Sequence, residues 1–204
     1  MEDAFTRAES RALDRLSTVH AIQAFLDRTP YSVEKVYRCP RSVLRDRRAH
    51  CFDGAVLAAA ALERLGLPPL ILDMRSARDD DHVLCVYRVR GAWGAVAKSN
   101  FVGLRGREPV YRSLRELVMS YFDHYFNMER QRSLRSFSRP LDLARVRLPW
   151  RTTDRPMARI AARLDRMPHT PVLTPAQLRA LRPVDRRTFR AHQLGTDLRG
   201  VYWP

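Results

Sequence analysis

Residues 51–65 read CFDGAVLAAAALERL and are followed by Gly66. Alanine has the highest helix propensity of all residues and glycine often ends a helix, so this stretch predicts a helix over 51–65. The middle of the stretch is small and apolar on every side, which is typical of a helix that packs against neighbours all round. We therefore expect it to be the central helix of the protein.

Three strands are predicted after this helix. Residues 70–72 form a short apolar run that is typical of a buried strand. Residues 82–90 alternate in hydrophobicity, with one face made of Val83, Cys85, Tyr87 and Val89. Gly91-Ala92 predicts a tight turn, after which residues 93–98 return antiparallel to the preceding strand.

Helices are predicted on both sides of these strands. Apolar residues follow a helical period over 10–28, and again over 112–127, where the apolar stripe is largely aromatic. Residues 99–111 lie between the last strand and the aromatic helix and contain two glycines and a proline, so they read as a loop.

The texture of the chain changes after residue 128. Residues 129–150 are Arg-rich with little periodicity, whereas 157–167 and 174–194 read as helices. The sequence thus predicts an α+β fold, with a core over residues 1–128 that includes the N-terminal helix. An Arg-rich helical C-terminal extension over residues 129–204 is expected to pack on this core.

The positive charge is concentrated in the C-terminal extension. The chain has a net charge of +15, with 35 Arg and only two Lys. Residues 1–128 carry 20 basic and 16 acidic side chains, whereas residues 129–204 carry 17 basic and 6 acidic ones. A basic region of this kind can attract nucleic acid, anionic lipid or an acidic protein, or can be simply a solvated surface.

Several classes of protein are excluded by composition. No stretch approaches the ~18 consecutive apolar residues of a membrane span, and the acidic start Met1-Glu2-Asp3-Ala4 is unlike a signal peptide, so the cytoplasm is the expected location. The three cysteines, Cys39, Cys51 and Cys85, are too few for a disulfide scaffold and form no Cys-x-x-Cys pair. We expect no metal and no organic cofactor.

Cys51 and His82 are the candidate catalytic pair. Cys51 begins the central helix, where unpaired N–H groups and the helix dipole favour a thiolate and so are expected to lower the thiol pKa. His82 opens a strand 31 residues later. If that strand packs against the start of the helix, His82 can take the proton of Cys51 and later protonate a leaving amine.

A Cys–His pair usually has a third group that orients the imidazole. Ser99 and Asn100, at the end of the return strand, are the candidates, since a hydroxyl or amide oxygen can accept the imidazole N–H. The acidic run Asp79-Asp80-Asp81 is an alternative, although Asp81 adjoins His82 and neighbours in a strand point to opposite faces.

Four features together resemble the transglutaminase-like superfamily, the papain-related Cys–His–Asp proteins. They are the segment His50 to Leu62, the turn Leu65-Gly66-Leu67-Pro68-Pro69, the strand opening at His82 and the turn Gly91-Ala92-Trp93. In that family the nucleophile begins an Ala-rich helix, the His begins a strand, and the strand after a Gly-x-Trp turn ends in Asp. Here Ala97 stands where that Asp is expected, so either Ser99 or Asn100 replaces it or catalysis has been lost.

The resemblance, which covers residues 30–105, implies a papain/transglutaminase-like core with a central helix on a small antiparallel sheet. It also implies a cysteine hydrolase or acyl transferase that acts on the amide bond of a peptide or other substrate. Two alternatives stay open. One is a catalytically inactive binding module on the same fold, and the other is an anion or nucleic-acid binder that works through the basic C-terminal region. The oligomeric state is not predicted.

Overall fold

The computed structural model describes residues 4–204 and shows an α+β protein. The helices are α1 (Arg7–Asp14), α2 (Val19–Arg28), α3 (Pro40–Asp46), α4 (Cys51–Arg64), α5 (Leu114–Met119), α6 (Met157–Asp165), α7 (Pro175–Ala180) and α8 (Arg186–His192). The strands are β1 (Leu70–Ser76), β2 (His82–Val89), β3 (Ala92–Val96), β4 (Arg107–Tyr111), β5 (Leu134–Ser138), β6 (Leu141–Asp142) and β7 (His169–Pro171).

Helix α4 occupies the centre of the fold, as its composition predicts. Every residue from Phe52 to Leu62 is buried, and α4 packs on β2 with α1, α2 and α3 on its other sides. Close approach of α4 to the end of β3 requires glycine, since a Cβ at Gly54 would lie 2.3 Å from the Cβ of Lys98. This packing fixes the first residue of α4, Cys51, against the sheet.

The strands form one antiparallel sheet in the order β4-β3-β2-β1-β5-β7, with β6 also pairing along β1. The β2–β3 hairpin turns at Arg90 and Gly91, one residue earlier than predicted. Both residues have positive φ, 50° and 82°, as a type I′ turn requires.

Both faces of the sheet are buried. The predicted face of β2 packs towards α4 through Val83, Cys85 and Tyr87, whereas Val89 is exposed at the strand end. The opposite face, with Leu84 and Val86, lies in a second core. Strand β2 is therefore buried on both faces, which accounts for the apolar residues on each of them. Other members of the second core are Leu72, Met74, Leu117, Val118, Tyr121 and Tyr125.

The single helix predicted over 10–28 is wrong, because the chain forms α1 and α2 with a break between them. Thr18 has extended backbone and its side chain accepts a hydrogen bond from the N–H of Ala21. A threonine that caps a new helix in this way ends the helical path of the preceding residues. The spacing of apolar residues continues across the break, so the sequence alone predicts one continuous helix.

The aromatic helix predicted over 112–127 is also wrong in extent. Only Leu114–Met119 is α-helical, and a 3-10 turn follows at Phe122–His124. Tyr125 is buried and its hydroxyl donates to the carbonyl oxygen of Asp80 at 2.7 Å, so the tertiary contact overrides the helical period. The preceding segment is not all loop either, because residues 107–111 form β4 at the sheet edge.

The C-terminal extension contains strands as well as helices, which corrects its description as helical. Strand β5 pairs with β1, with Met74 opposite Phe137, and β7 continues the sheet beyond β5. Fully buried Trp150 lies in the same core as α4. Residues 129–204 therefore share a core with α4 and also extend the sheet.

Candidate active site

Cys51 is the first residue of α4. His50 precedes it with extended backbone, and Asp53 accepts a hydrogen bond from the N–H of His50 at 3.3 Å. The thiol of Cys51 lies 3.8 Å from the carbonyl oxygen of Asp81, the residue before His82. The start of α4 and the start of β2 therefore meet, which is the condition for His82 to approach Cys51.

The thiol pKa is opposite to expectation. Burial raises the pKa of Cys51 to about 12, and the carboxylates of Asp80 and Asp53 raise it further. The backbone N–H groups of Val83 and Phe52 act in the other direction but do not compensate. The helix start therefore does not produce a thiolate in this structure, because desolvation of the thiol outweighs the favourable dipole.

His82 is buried at the start of β2 and is held as a neutral imidazole. Its Nε2 lies 2.8 Å from the carbonyl oxygen of Leu104. A carbonyl only accepts, so Nε2 carries the proton and Nδ1 is the basic nitrogen. Burial lowers the pKa of His82 to about 4, and the charge of Arg107 lowers it further.

One small cavity of about 30 Å³ brings all four predicted site residues together. Cys51, His82, Ser99 and Asn100 line it. The volume suits about one water molecule. In residues 4–204 no hydrogen bond joins the Cys51 thiol to the His82 imidazole, although the thiol contacts the backbone on both sides of His82.

Neither predicted orienting residue bonds to His82, which corrects the assignment of Ser99 and Asn100. The Ser99 hydroxyl accepts from the N–H of Phe101 at 2.9 Å, a local turn. The Asn100 amide donates to the carbonyl oxygens of Asp197 and Gly200 and accepts from the N–H of Asp197. The imidazole bonds instead to the backbone carbonyl of Leu104. Every residue has a backbone carbonyl, so the residue type gives no signal for this partner.

The acidic run before His82 is engaged elsewhere. The Asp79 carboxylate accepts from the Ser133 hydroxyl at 2.6 Å, and Asp81 accepts from the N–H of Ser76 at 2.7 Å. Burial raises the pKa of Asp79 to about 6 and also raises that of Asp80. These acids do not orient His82, but they place negative potential beside Cys51.

A larger cleft of about 720 Å³ opens next to Cys51, and we call it the Cys51 cleft. The loop over residues 31–37 forms one side, and α6 contributes Ala161, Leu164 and Asp165 to another. Residues 199–203, close to the C-terminus of the chain, lie along a further side. We call residues 197–204 the C-terminal strap.

Arg38 is a positioning residue that the sequence did not reveal. It is buried and bonds to Ser32 and Asp46, and its guanidinium lies 3.8 Å from the Asp53 carboxylate. The N–H of Arg38 also donates to Asp53 at 2.8 Å. Burial raises the pKa of Asp53 to about 7, and the Arg38 charge opposes this. The loop beside Cys51 is thus tied to the first turn of α4.

A buried histidine–carboxylate pair, His169 and Asp73, lies beside the Cys51 cleft. His169 Nε2 is 2.9 Å from Asp73 Oδ2, and its Nδ1 is 2.7 Å from the carbonyl oxygen of Met167. Asp73 lines the cleft, and its Oδ1 has no hydrogen-bond partner in the described chain. Burial raises the pKa of Asp73 to about 6. The two residues are 96 positions apart, so no local pattern signals the pair.

No protein-family model matches the chain, and a search of curated proteins gives no match. The resemblance to the transglutaminase-like superfamily therefore stays a prediction. Within residues 4–204, no helix is long and apolar enough to cross a membrane.

Proposed function

We propose that this protein is a cysteine hydrolase or acyl transferase of the transglutaminase-like kind that acts on an amide bond. The observation that carries the proposal is the meeting of Cys51 and His82 at one cavity, with the His82 proton fixed on Nε2 by Leu104. This tautomer leaves Nδ1 as the acceptor for the Cys51 proton, which is the arrangement that a general base requires.

In the proposed reaction, His82 Nδ1 takes the Cys51 proton as the sulfur attacks the carbonyl carbon of the amide. The backbone N–H of Cys51, which has no partner within the helix because it lies in the first turn, stabilises the oxyanion. His82 then protonates the leaving amine, and the C–N bond breaks to give a thioester. Water or a second amine releases the acyl group.

The resting pair is neutral on both sides. With the Cys51 pKa near 12 and the His82 pKa near 4, no thiolate–imidazolium ion pair forms before substrate binds. Proton transfer must therefore accompany the attack on the carbonyl. The same neutral state is what an inactive binding module on this fold would show, so the test has to measure the acyl intermediate itself.

The test is acylation of Cys51 by 4-nitrophenyl acetate, with the acetyl group located by peptide mass spectrometry. We expect a thioester on Cys51 and none on buried Cys39 or Cys85. His82→Asn should slow its formation by about 10²–10⁴-fold, the usual contribution of a general base. His20→Asn, an exposed histidine far from the cavity, is the matched control. Equal acylation rates in wild type and His82→Asn would refute the proposal.

A second candidate function is anion binding at a groove of about 770 Å³ along α6, which we call the α6 groove. Arg159, Arg163 and Arg166 follow one another on one helix face, and Arg147 faces them. No ion pair involves these four exposed guanidinium groups in the described chain, and the floor is apolar, with Val146 and Ile160. Guanidinium groups without carboxylate partners are suited to phosphate.

Binding of a DNA oligonucleotide over a salt series tests this second function. We expect the logarithm of the affinity to fall linearly with the logarithm of the salt concentration, because phosphate contacts release counterions. Absence of binding at low salt would exclude the α6 groove as a nucleic-acid site.

A further inference from the structure

The rim of the Cys51 cleft exposes apolar side chains. Val33, Val36 and Tyr37 lie on the loop side with 42%, 48% and 43% of their surface exposed. Tyr202 and Trp203 of the C-terminal strap lie opposite, 43% and 64% exposed. Contiguous exposed apolar surface around a cleft commonly marks a binding site. The loop side of the rim therefore points to a ligand with apolar or aromatic groups, and the strap places two aromatic side chains at the same cleft.

The strap is anchored at one end by the side chain of Asn100. The Asn100 carboxamide donates to the carbonyl oxygens of Asp197 and Gly200 at 2.9 and 3.1 Å and accepts from the N–H of Asp197 at 3.0 Å. It thus engages both kinds of backbone group, as a neighbouring peptide chain would. The hydroxyl of Thr196 adds a bond to the Asn100 carbonyl oxygen at 3.1 Å.

The strap packs closely at Gly200 and is held weakly after it. Gly200 packs so closely on the loop that a Cβ there would lie 3.0 Å from Val33 and 3.1 Å from Tyr31. Gly200 and Tyr202 line the small cavity with Cys51 and His82. Residues 201–204 belong to no helix or strand and make no backbone hydrogen bond in the described chain. A segment with so few contacts opens at low free-energy cost.

We propose that the Cys51 cleft binds an extended peptide that carries an aromatic side chain, and that the C-terminal strap occupies the same groove and must leave before such a peptide enters. The proposal rests on the proposed function, because the bound peptide would present the amide that Cys51 attacks. It adds the chemical class of the ligand, and it gives Asn100 the role of a backbone-binding residue. The strap then acts as an internal competitor.

The first experiment uses the full-length chain with Tyr202→Ser and Trp203→Ser, two exposed strap positions whose replacement leaves the loop and α6 sides of the cleft unchanged. We expect Cys51 to react with iodoacetamide about tenfold faster than in wild type, because a weakened strap opens more often. Leu194→Ser, an 81% exposed apolar residue outside the cleft, is the matched control and should leave the rate unchanged. An unchanged rate in the double variant would overturn the proposal.

The second experiment adds the strap sequence in trans as a fluorescein-labelled hexapeptide, Arg-Gly-Val-Tyr-Trp-Pro, and follows its fluorescence anisotropy. We expect binding about tenfold tighter to the double variant than to wild type, since wild type must first open its own strap. The peptide Arg-Gly-Val-Ser-Ser-Pro should not bind. Equal binding of both peptides, or binding of neither, would overturn the proposal.

Failure of the groove and failure of the catalytic proposal give different results. When the binding experiment is repeated with Cys51→Ser, no chemistry is required of the protein. If the aromatic peptide binds but Cys51 is never acylated, the groove stands and the catalytic proposal is wrong. If Cys51 is acylated while the strap substitutions change neither its alkylation nor peptide binding, only the groove proposal is wrong.

Discussion

The Cys51 cleft and the α6 groove lie on two sides of one helix and carry opposite charge. Asp165 of α6 lines the Cys51 cleft together with Asp80 and Asp81, whereas Arg159 and Arg163 of the same helix line the α6 groove. The net charge of the chain is +15. It has the same sign as the side chains named for the α6 groove and the opposite sign to those named for the Cys51 cleft. The potential at a site is set by the few charges around it, and these need not follow the charge of the whole chain.

The difference has a chemical consequence at Cys51. A positive surrounding would favour a thiolate, as it does at reactive cysteines. The carboxylates of Asp80 and Asp53 raise the pKa of Cys51 instead, in addition to the effect of burial. The two regions are therefore expected to respond differently to pH, and four measurements follow from this, from the largest effect to the smallest.

The largest expected effect is the pH dependence of Cys51 alkylation. Only the thiolate reacts, so with a pKa near 12 the rate should rise about tenfold per pH unit from pH 7 to 10, or about 10³-fold overall. Peptide mass spectrometry after iodoacetamide pulses measures this at each cysteine separately. A plateau below pH 9, as for a free thiol of pKa about 8.5, would show that the cleft does not disfavour the thiolate.

Next in size is the effect of Arg38→Met on stability. Arg38 is the cation beside buried Asp53, and removal of one partner of a buried ion pair costs about 3–5 kcal/mol. Denaturant unfolding at pH 8 measures the loss. Arg145→Met removes an exposed arginine paired with Asp142 and should cost under about 0.5 kcal/mol.

The same variant has a pH dependence of known sign. Without Arg38 the pKa of Asp53, already raised to about 7, rises further, so the carboxyl is protonated over more of the neutral range. A protonated Asp53 carries no charge and needs no cation beside it. The stability loss caused by Arg38→Met should therefore shrink as the pH falls from 8 to 5. A loss that is constant over this range would show that Asp53 does not depend on Arg38.

The interior of the fold was predictable where the pattern is local. Residues 51–65 and 82–90 read correctly because helix propensity and alternation act over a few residues. Strands β4 and β5 are not predicted because REPVY and LRSFS contain neither an apolar run nor a regular alternation, and they become strands only by pairing with β3 and β1. The sequence therefore predicts elements whose own residues show a clear pattern. It misses strands that form only because neighbouring strands of the sheet pair with them.

The site divides in the same way. Cys51 and His82 lie at one cavity because the ends of two predicted elements meet there, whereas Asn100 lies at the same cavity but bonds to the C-terminal strap and not to His82. Its contacts lie 97 and 100 residues away, at Asp197 and Gly200. The group that bonds the His82 imidazole, the carbonyl oxygen of Leu104, belongs to the backbone and has no signature in residue type.

A smaller effect is expected from His192→Phe, which lies against two rings that line the small cavity. His192 is buried between Phe101 and Phe126, and neither ring nitrogen has a hydrogen-bond partner in the described chain. Burial lowers its pKa to about 4, below the 6.5 of an unfolded histidine, and the charge of His124 lowers it further. The unfolded chain therefore binds more protons between pH 6.5 and 4, and wild-type stability falls as the pH falls.

Phenylalanine cannot take up that proton and keeps the ring packing. The stability difference in favour of His192→Phe should therefore grow below pH 6.5 by at most about 1.4 kcal/mol per pH unit. Urea unfolding of both proteins at pH 7, 6, 5 and 4.5 measures the difference. The acidic residues of the Cys51 cleft are the same in both proteins, so their contribution to the pH dependence drops out of the comparison. Parallel curves would mean that His192 is protonated inside the fold.

The smallest expected effect is that of replacing arginines in the α6 groove. It should appear mainly as a change in the salt dependence of DNA affinity. Each phosphate contact adds about 0.9 to the slope of log affinity against log salt for duplex DNA, so Arg159→Ser with Arg163→Ser should reduce the slope by about 2. Affinity at 0.15 M salt should fall only several-fold, uniformly across sequences, because such contacts position the ligand without reading bases. Arg186→Ser with Arg187→Ser, on α8, is the matched control for net charge. If both pairs change the slope equally, the binding reports the overall charge of the chain, and the contrast between groove and cleft has no role in recognition.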